Sequence, residues 1–131
     1  MGHERITSGA GVPPPGAPYS AAVVAGDLGF ISGQIALDPE SGKYEPGPLE
    51  SEARKAITNL LAIAAAAGFG ADELCMVTVL LADIGDFDAF NEVYAELMPP
   101  KALPARIAYQ AGSLPLGAKV EVQAIARRED D

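Results

Sequence analysis

The stretch LPARIAYQAGSLPLGAKVEVQAIARRE, residues 103–129, decides how this chain is read. Two runs within it, 105–111 and 118–126, are built from branched and small apolar residues and are separated by Gly, Ser and Pro. That composition predicts two strands joined by a loop. Each run carries one ion in its middle, Arg106 in the first and Glu121 in the second. Strand side chains alternate between faces. Ile107 and Tyr109 therefore share one face, with Arg106, Ala108 and Gln110 opposite. In the second run Val120, Val122, Ala124 and Ala126 oppose Lys119, Glu121, Gln123 and Ile125. If the apolar sets lie under helices, Arg106 and Glu121 both project from the face that helices leave uncovered. Two readings of that face stay open. It is a wetted surface carrying an exposed cross-strand pair, or it is a subunit interface, where an ion requires a partner or a ligand.

Periodicity in the flanking sequence predicts the rest of the fold. AAVVAGDLGFISGQIAL, residues 21–37, reads as a β-hairpin turning near Gly26-Asp27. DPESGKYEPGPL, residues 38–49, is broken by Pro and Gly and reads as an exposed loop. From about Leu49 to Ala67 the apolar spacing becomes helical through Ala53, Ile57, Leu60, Leu61, Ala64 and Ala67. Glu52, Arg54, Lys55 and Asn59 fall on the other side, and Gly68 is placed to end the helix. Residues 75–82 predict a buried strand containing Cys75, read as a buried structural cysteine. Phe87, Phe90, Val93, Tyr94 and Leu97 line one side of a second helix, with Asp86 as its N-cap and Pro99-Pro100 as its stop. GFGADE, residues 68–73, lacks phosphate-loop spacing and reads as a turn. The acidic tail, residues 128–131, reads as a solvated end. Hairpin, helix, strand, helix, strand, strand implies a two-layer α+β domain over residues 1–131, both helices on one face of a five- or six-stranded sheet.

Bulk chemistry narrows the function. The 131 residues carry a net charge of −9, with no Lys/Arg cluster, which argues against phosphate backbones and anionic lipid as partners. One cysteine and one histidine argue against a disulfide framework and against a zinc or haem site. With no apolar run of spanning length and no leader pattern, the expectation is a cytoplasmic protein without membrane or nucleic-acid partners.

Several ordered motifs, spanning about residues 16–128, resemble the RidA/YjgF family of reactive intermediate deaminases. They are the C-terminal stretch above, Pro18-Tyr19, Ser32-Gly33-Gln34, the DPESG loop and DFDAFNEVYAE. The resemblance implies a chorismate-mutase-like fold assembled as a homotrimer, with the sheets forming a central barrel and a cleft between each pair of subunits. It also implies cofactor-independent, metal-free hydrolysis of 2-imino or 2-enamino acids, such as 2-aminoacrylate, to 2-keto acids and ammonia. By the same resemblance Arg106 and Glu121 occupy the catalytic positions, and Tyr19, Ser32, Gly33, Asn91 and Ala108 the substrate-binding ones. Ala108 departs from the cysteine that many deaminating members carry, which leaves substrate choice open. The alternatives are a non-catalytic ring binding small carboxylates or a partner protein, and an endoribonuclease or translation inhibitor.

Overall fold

A computed structural model describes residues 2–129; Asp130 and Asp131 of the acidic tail lie outside them. The elements in chain order are β1 (Glu4–Ile6), β2 (Ala22–Ala25), β3 (Leu28–Gln34), α1 (Leu49–Ala66), β4 (Leu74–Leu81), α2 (Phe87–Leu97), β5 (Ala105–Gln110) and β6 (Val120–Arg127). They form one mixed six-stranded sheet in the order β1-β2-β3-β6-β4-β5. Every pairing is antiparallel except β4 with β5, where α2 supplies the crossover that a parallel pair requires. The hairpin turns at Gly26, whose φ of +61° suits a residue without Cβ. Gly68 closes α1 in the left-handed region at φ +90°, while the Phe69 N–H reaches back to the Ala64 carbonyl. β1 is the one strand that sequence periodicity does not reveal, being only three residues long.

Both helices cover one face of the sheet. Ala53, Ile57, Leu60 and Ile63 of α1 and Phe90 and Val93 of α2 bury against Val77, Val79, Leu81, Val120, Val122 and Ala124. The opposite face is left bare, with Leu28, Phe30, Ile107 and Tyr109 all exposed. Among the described residues no helix is long and apolar enough to cross a membrane.

Six expectations change. First, the parity of β5 is inverted. Arg106 pairs with buried Val77 and turns toward α2, whereas Ile107 and Tyr109 are each 48% exposed on the bare face. Its apolar residues point away from the helix core, so apolarity alone misassigns the face. Second, Arg106 and Glu121 are not a cross-strand pair, because β4 lies between β5 and β6. Third, Glu52 and Asn59 are buried rather than solvated, Asn59 donating to the Leu37 carbonyl at 2.9 Å. Fourth, Cys75 is exposed, at a register irregularity between Leu74 and Met76 in the β4–β6 ladder. Fifth, Asp86 stands at the N-cap of α2 without a side-chain cap bond; Asp83 instead accepts from the Gly85 N–H at 2.8 Å, in the short turn before it. Sixth, the tail begins docked, with the Arg128 guanidinium 4.6 Å from the Phe69 ring centroid.

Candidate active site

Glu121 sits in β6 between Val120 and Val122, both fully buried under the helices, so its own side chain leaves by the bare face. There it lines a pocket of about 530 Å³ with Tyr19, Ser32, Gly33, Leu37 and Leu116. The pocket exists because β3 breaks register with β6 between Ile31 and Gln34. This bulge carries Ser32-Gly33 out of the ladder and toward Glu121. A Cβ at Gly33 would meet the Glu121 carboxylate and force it to swing aside. Buried Gln34 pins the bulge by donating to the Gly33 carbonyl at 3.1 Å and the Ser32 carbonyl at 3.3 Å. Both Ser32 donors are committed: its hydroxyl to the Ser20 carbonyl at 2.6 Å, its N–H to the Ala21 carbonyl at 2.9 Å. Ser32 therefore shapes the pocket wall rather than offering a free hydroxyl proton.

The Glu121 carboxylate has no hydrogen-bond or ion-pair partner among the described residues. Burial pushes its carboxyl above the ordinary carboxylate range. A half-buried acid with a raised pKa and no structural duty is suited to proton transfer.

Arg106 lies elsewhere. Its guanidinium carbon is 4.8 Å from the Tyr94 ring centroid, 5.7 Å from Phe87 and 5.9 Å from Phe90. The three rings share one side of α2 at positions i, i+3 and i+7 and form a cradle for the cation. Arg106 makes no hydrogen bond or ion pair among the described residues, so its planar fork of donors is uncommitted. Two buried polar atoms of α2 also lack partners, Asn91 Oδ1 and Tyr94 Oη. Burial raises the Tyr94 phenol, while the nearby Arg106 charge opposes that shift. Ala108 follows two residues along β5 on the same face as Arg106, half-buried beside Val79.

The seven sequence-derived candidates thus divide into two groups. Tyr19, Ser32, Gly33 and Glu121 share the pocket on the bare face. Arg106, Ala108 and Asn91 belong to the α2 side. Within one chain the acid and the cation lie on opposite faces of the sheet. Gln34 and Tyr94 border the site as well; both lie within the motifs that carry the family resemblance, although neither is among the seven candidates. The signal for Gln34 is a polar residue ending an apolar strand; Tyr94 reads simply as helix core.

Residues 11–128 match the family model described as endoribonuclease L-PSP. The chain belongs to this family, the RidA/YjgF family that its motifs resemble. Relatives in the family include the 2-iminobutanoate/2-iminopropanoate deaminase of goat, 46% identical over 93% of this chain and 88% of that protein. The mouse protein of the same name is 47% identical over 83% of this chain and 80% of that protein. Among solved structures, a putative endoribonuclease from Thermotoga maritima superposes with a TM-score of 0.90 at 35% identity, covering 97% of this chain and 99% of that one. Escherichia coli TdcF with bound serine gives 0.88 at 32% identity, covering 96% and 100%. The RidA/YjgF fold accordingly holds across nearly the whole chain.

Proposed function

We propose that this protein is a 2-imino acid deaminase acting on 2-iminobutanoate, 2-iminopropanoate and the enamines that tautomerise to them. The observation that carries the reading is Glu121: a half-buried carboxylate without a partner, raised by burial, in a pocket closed by the Ser32-Gly33 bulge. The 46% identity to the goat protein named for this activity supports the same reaction.

The chemistry follows from the side chains. The substrate carboxylate takes two parallel hydrogen bonds from the Arg106 guanidinium, a geometry lysine does not reproduce. Water attacks the imine carbon while Glu121 accepts its proton, giving a tetrahedral carbinolamine. Glu121 returns that proton to the nitrogen and then carries the carbinolamine hydroxyl proton to the same nitrogen; the C–N bond breaks as the carbonyl forms, and ammonia leaves a 2-keto acid. One imine and one water become one keto acid and one ammonia, so the balance requires no cofactor or metal. Imines hydrolyse readily in water, and positioning with one proton shuttle is the catalytic task.

Because Arg106 and Glu121 face opposite sides of one sheet, a substrate held by both requires two chains. We propose a homotrimer in which the bare sheet faces meet as a central barrel. Exposed Leu28, Phe30, Ile107 and Tyr109 suit burial in such an interface. Each cleft then takes Glu121, Gly33 and Tyr19 from one protomer and Arg106, Asn91 and Ala108 from its neighbour. RNA cleavage, the activity in the family's description, is disfavoured by a charge of −9 per chain, which repels a polyphosphate backbone.

The test generates 2-imino acids with an amino-acid oxidase in the presence of semicarbazide and measures trapping. The wild type is expected to reduce trapping of 2-iminobutanoate, and Glu121→Ala and Arg106→Ala are expected not to. Undiminished trapping for every imino acid, with carboxylate binding retained, would instead favour the binding-ring reading and point to Ala108.

A further inference from the structure

Behind the pocket lies a second carboxylate that the reaction does not use. Glu52, in the first turn of α1, is fully buried. Its Oε1 accepts from the Tyr44 hydroxyl at 2.8 Å and the Lys119 N–H at 3.0 Å. Its Oε2 accepts from the Gly47 N–H at 3.2 Å and the Lys119 ammonium at 3.3 Å, and that ammonium also donates to the Gly47 carbonyl at 2.6 Å. Burial alone would raise this acid, but the donors from Lys119, Tyr44 and Gly47 outweigh it and hold Glu52 below the ordinary carboxylate range. Four hydrogen bonds on one buried carboxylate come close to saturating its lone pairs.

These donors belong to two loops, and both loops wall the pocket. Tyr44 bridges to Leu37, and the tight turn between them is closed by the Asp38 N–H to the Lys43 carbonyl at 2.8 Å. Leu37 and Gly42 of that loop line the pocket. Lys119 ends the second loop, whose Pro115 and Leu116 also line the pocket. Leu116 is held in the left-handed region at φ +58°, the one non-glycine residue with positive φ among those described. A strained rim of this kind persists only where its surroundings over-determine it. The Tyr44 hydroxyl also lies 3.5 Å from the Gly117 carbonyl, which links the two loops directly.

We infer that Glu52 is a positioning residue that clamps the 38–47 and 115–119 loops together and so sets the width of the substrate pocket. Its effect on the reaction rests on the deaminase reading; its effect on the two loops does not. Amide hydrogen exchange of the assembled protein reads the loops, and steady-state hydrolysis of 2-iminobutanoate reads the reaction. In Glu52→Ala, amides in both loops exchange at least about tenfold faster, while β4 and the centre of β6 keep their protection. KM rises by more than kcat falls, because the pocket wall is displaced while Glu121 and Arg106 remain. Glu52→Gln, which keeps an acceptor for Tyr44 or the Lys119 N–H, recovers much of both effects. Tyr44→Phe removes one bond and raises loop exchange in the same direction by a smaller factor, and it decides the matter if Glu52→Ala does not fold. Unchanged loop exchange in the folded variants, or an increase spread evenly over the sheet, would overturn the inference. If the wild type failed to hydrolyse any imino acid, the deaminase reading would fall while the exchange result still decided the clamp.

Discussion

Glu52 and Glu121 are both carboxylates withdrawn from water, and their surroundings differ in every other respect. Glu52 is enclosed completely and met by a hydroxyl, two backbone N–H groups and an ammonium. Glu121 is half-buried on the bare face, has no partner among the described residues, and is separated from Gly33 by less space than a methyl group needs. The first is driven below the ordinary range, the second above it. A buried charge whose hydrogen bonds are satisfied is part of the architecture. One left unsatisfied, in a pocket, is stored for a reacting molecule. Hydrogen-bond satisfaction thus separates the acid proposed to do chemistry from the acid proposed to hold the loops, and substitutions can probe each one alone.

Removing the unsatisfied acid has the largest effect on rate. Glu121→Gln is expected to lower kcat/KM for 2-iminobutanoate by about 10²–10⁴-fold, the usual share of a proton-transfer residue. Its melting temperature should hold or rise, since the substitution neutralises a charge that has no partner among the described residues. A large loss of stability in that variant would erase the contrast between the two acids.

The converse holds for the satisfied acid. Glu52→Ala leaves the Tyr44 hydroxyl and the Gly47 and Lys119 N–H groups without their acceptor and should destabilise the fold by about 2–5 kcal/mol in chemical denaturation. Gly33→Ala comes next. Its Cβ must displace the Glu121 carboxylate, so activity should fall by about 10–100-fold with little change in denaturation midpoint, as for a modest misplacement of a catalytic group. Tyr44→Phe costs less stability than Glu52→Ala, about 1.5–3 kcal/mol for one lost hydrogen bond to a charged acceptor.

Acid titration distinguishes the two carboxylates further, because their shifts have opposite signs. The folded pKa of Glu52 is depressed, so its contribution to stability is present above the ordinary carboxylate pKa and is lost as pH falls through the lower folded value. Glu121 has a raised folded pKa, so its base form accumulates only as pH climbs above the ordinary range. Activity should therefore fall on acidification before stability does. Glu52→Gln should flatten the acid limb of the stability profile while leaving the pH midpoint of activity in place. Coincident acid limbs for activity and unfolding would contradict this ordering.

Much of the fold is legible in local sequence. Helical spacing in 49–67 and 86–97, Gly26 and Gly68 at their turns, and the Pro99-Pro100 stop each have a local physical cause, and the structure follows them. Legibility ends where a residue's surroundings come from distant segments. Ile107 and Tyr109 look like core residues, yet they face the bare side, because parity reports only that a residue is apolar and not what covers it. Glu52 looks solvated, because its four donors lie outside its own helix, two of them on Lys119, remote in sequence. Cys75 looks buried, because a register irregularity is invisible to periodicity. Motifs identify the residues of the candidate site, but they carry no sign that Arg106 and Glu121 lie on opposite faces of a single sheet.

Subunit mixing tests whether that separation is bridged between chains. Arg106→Ala and Glu121→Ala are each expected to be inactive, the first lacking the carboxylate anchor and the second the base. The two variants would be unfolded together and refolded as a mixture, and imine hydrolysis measured against each variant refolded alone. If each site joins Arg106 of one protomer to Glu121 of its neighbour, about a quarter of the sites in randomly mixed trimers receive both native residues. Activity should return to about that fraction of wild type. Failure of the mixture to exceed either variant alone, with subunit exchange verified by a mass tag, would contradict the shared site.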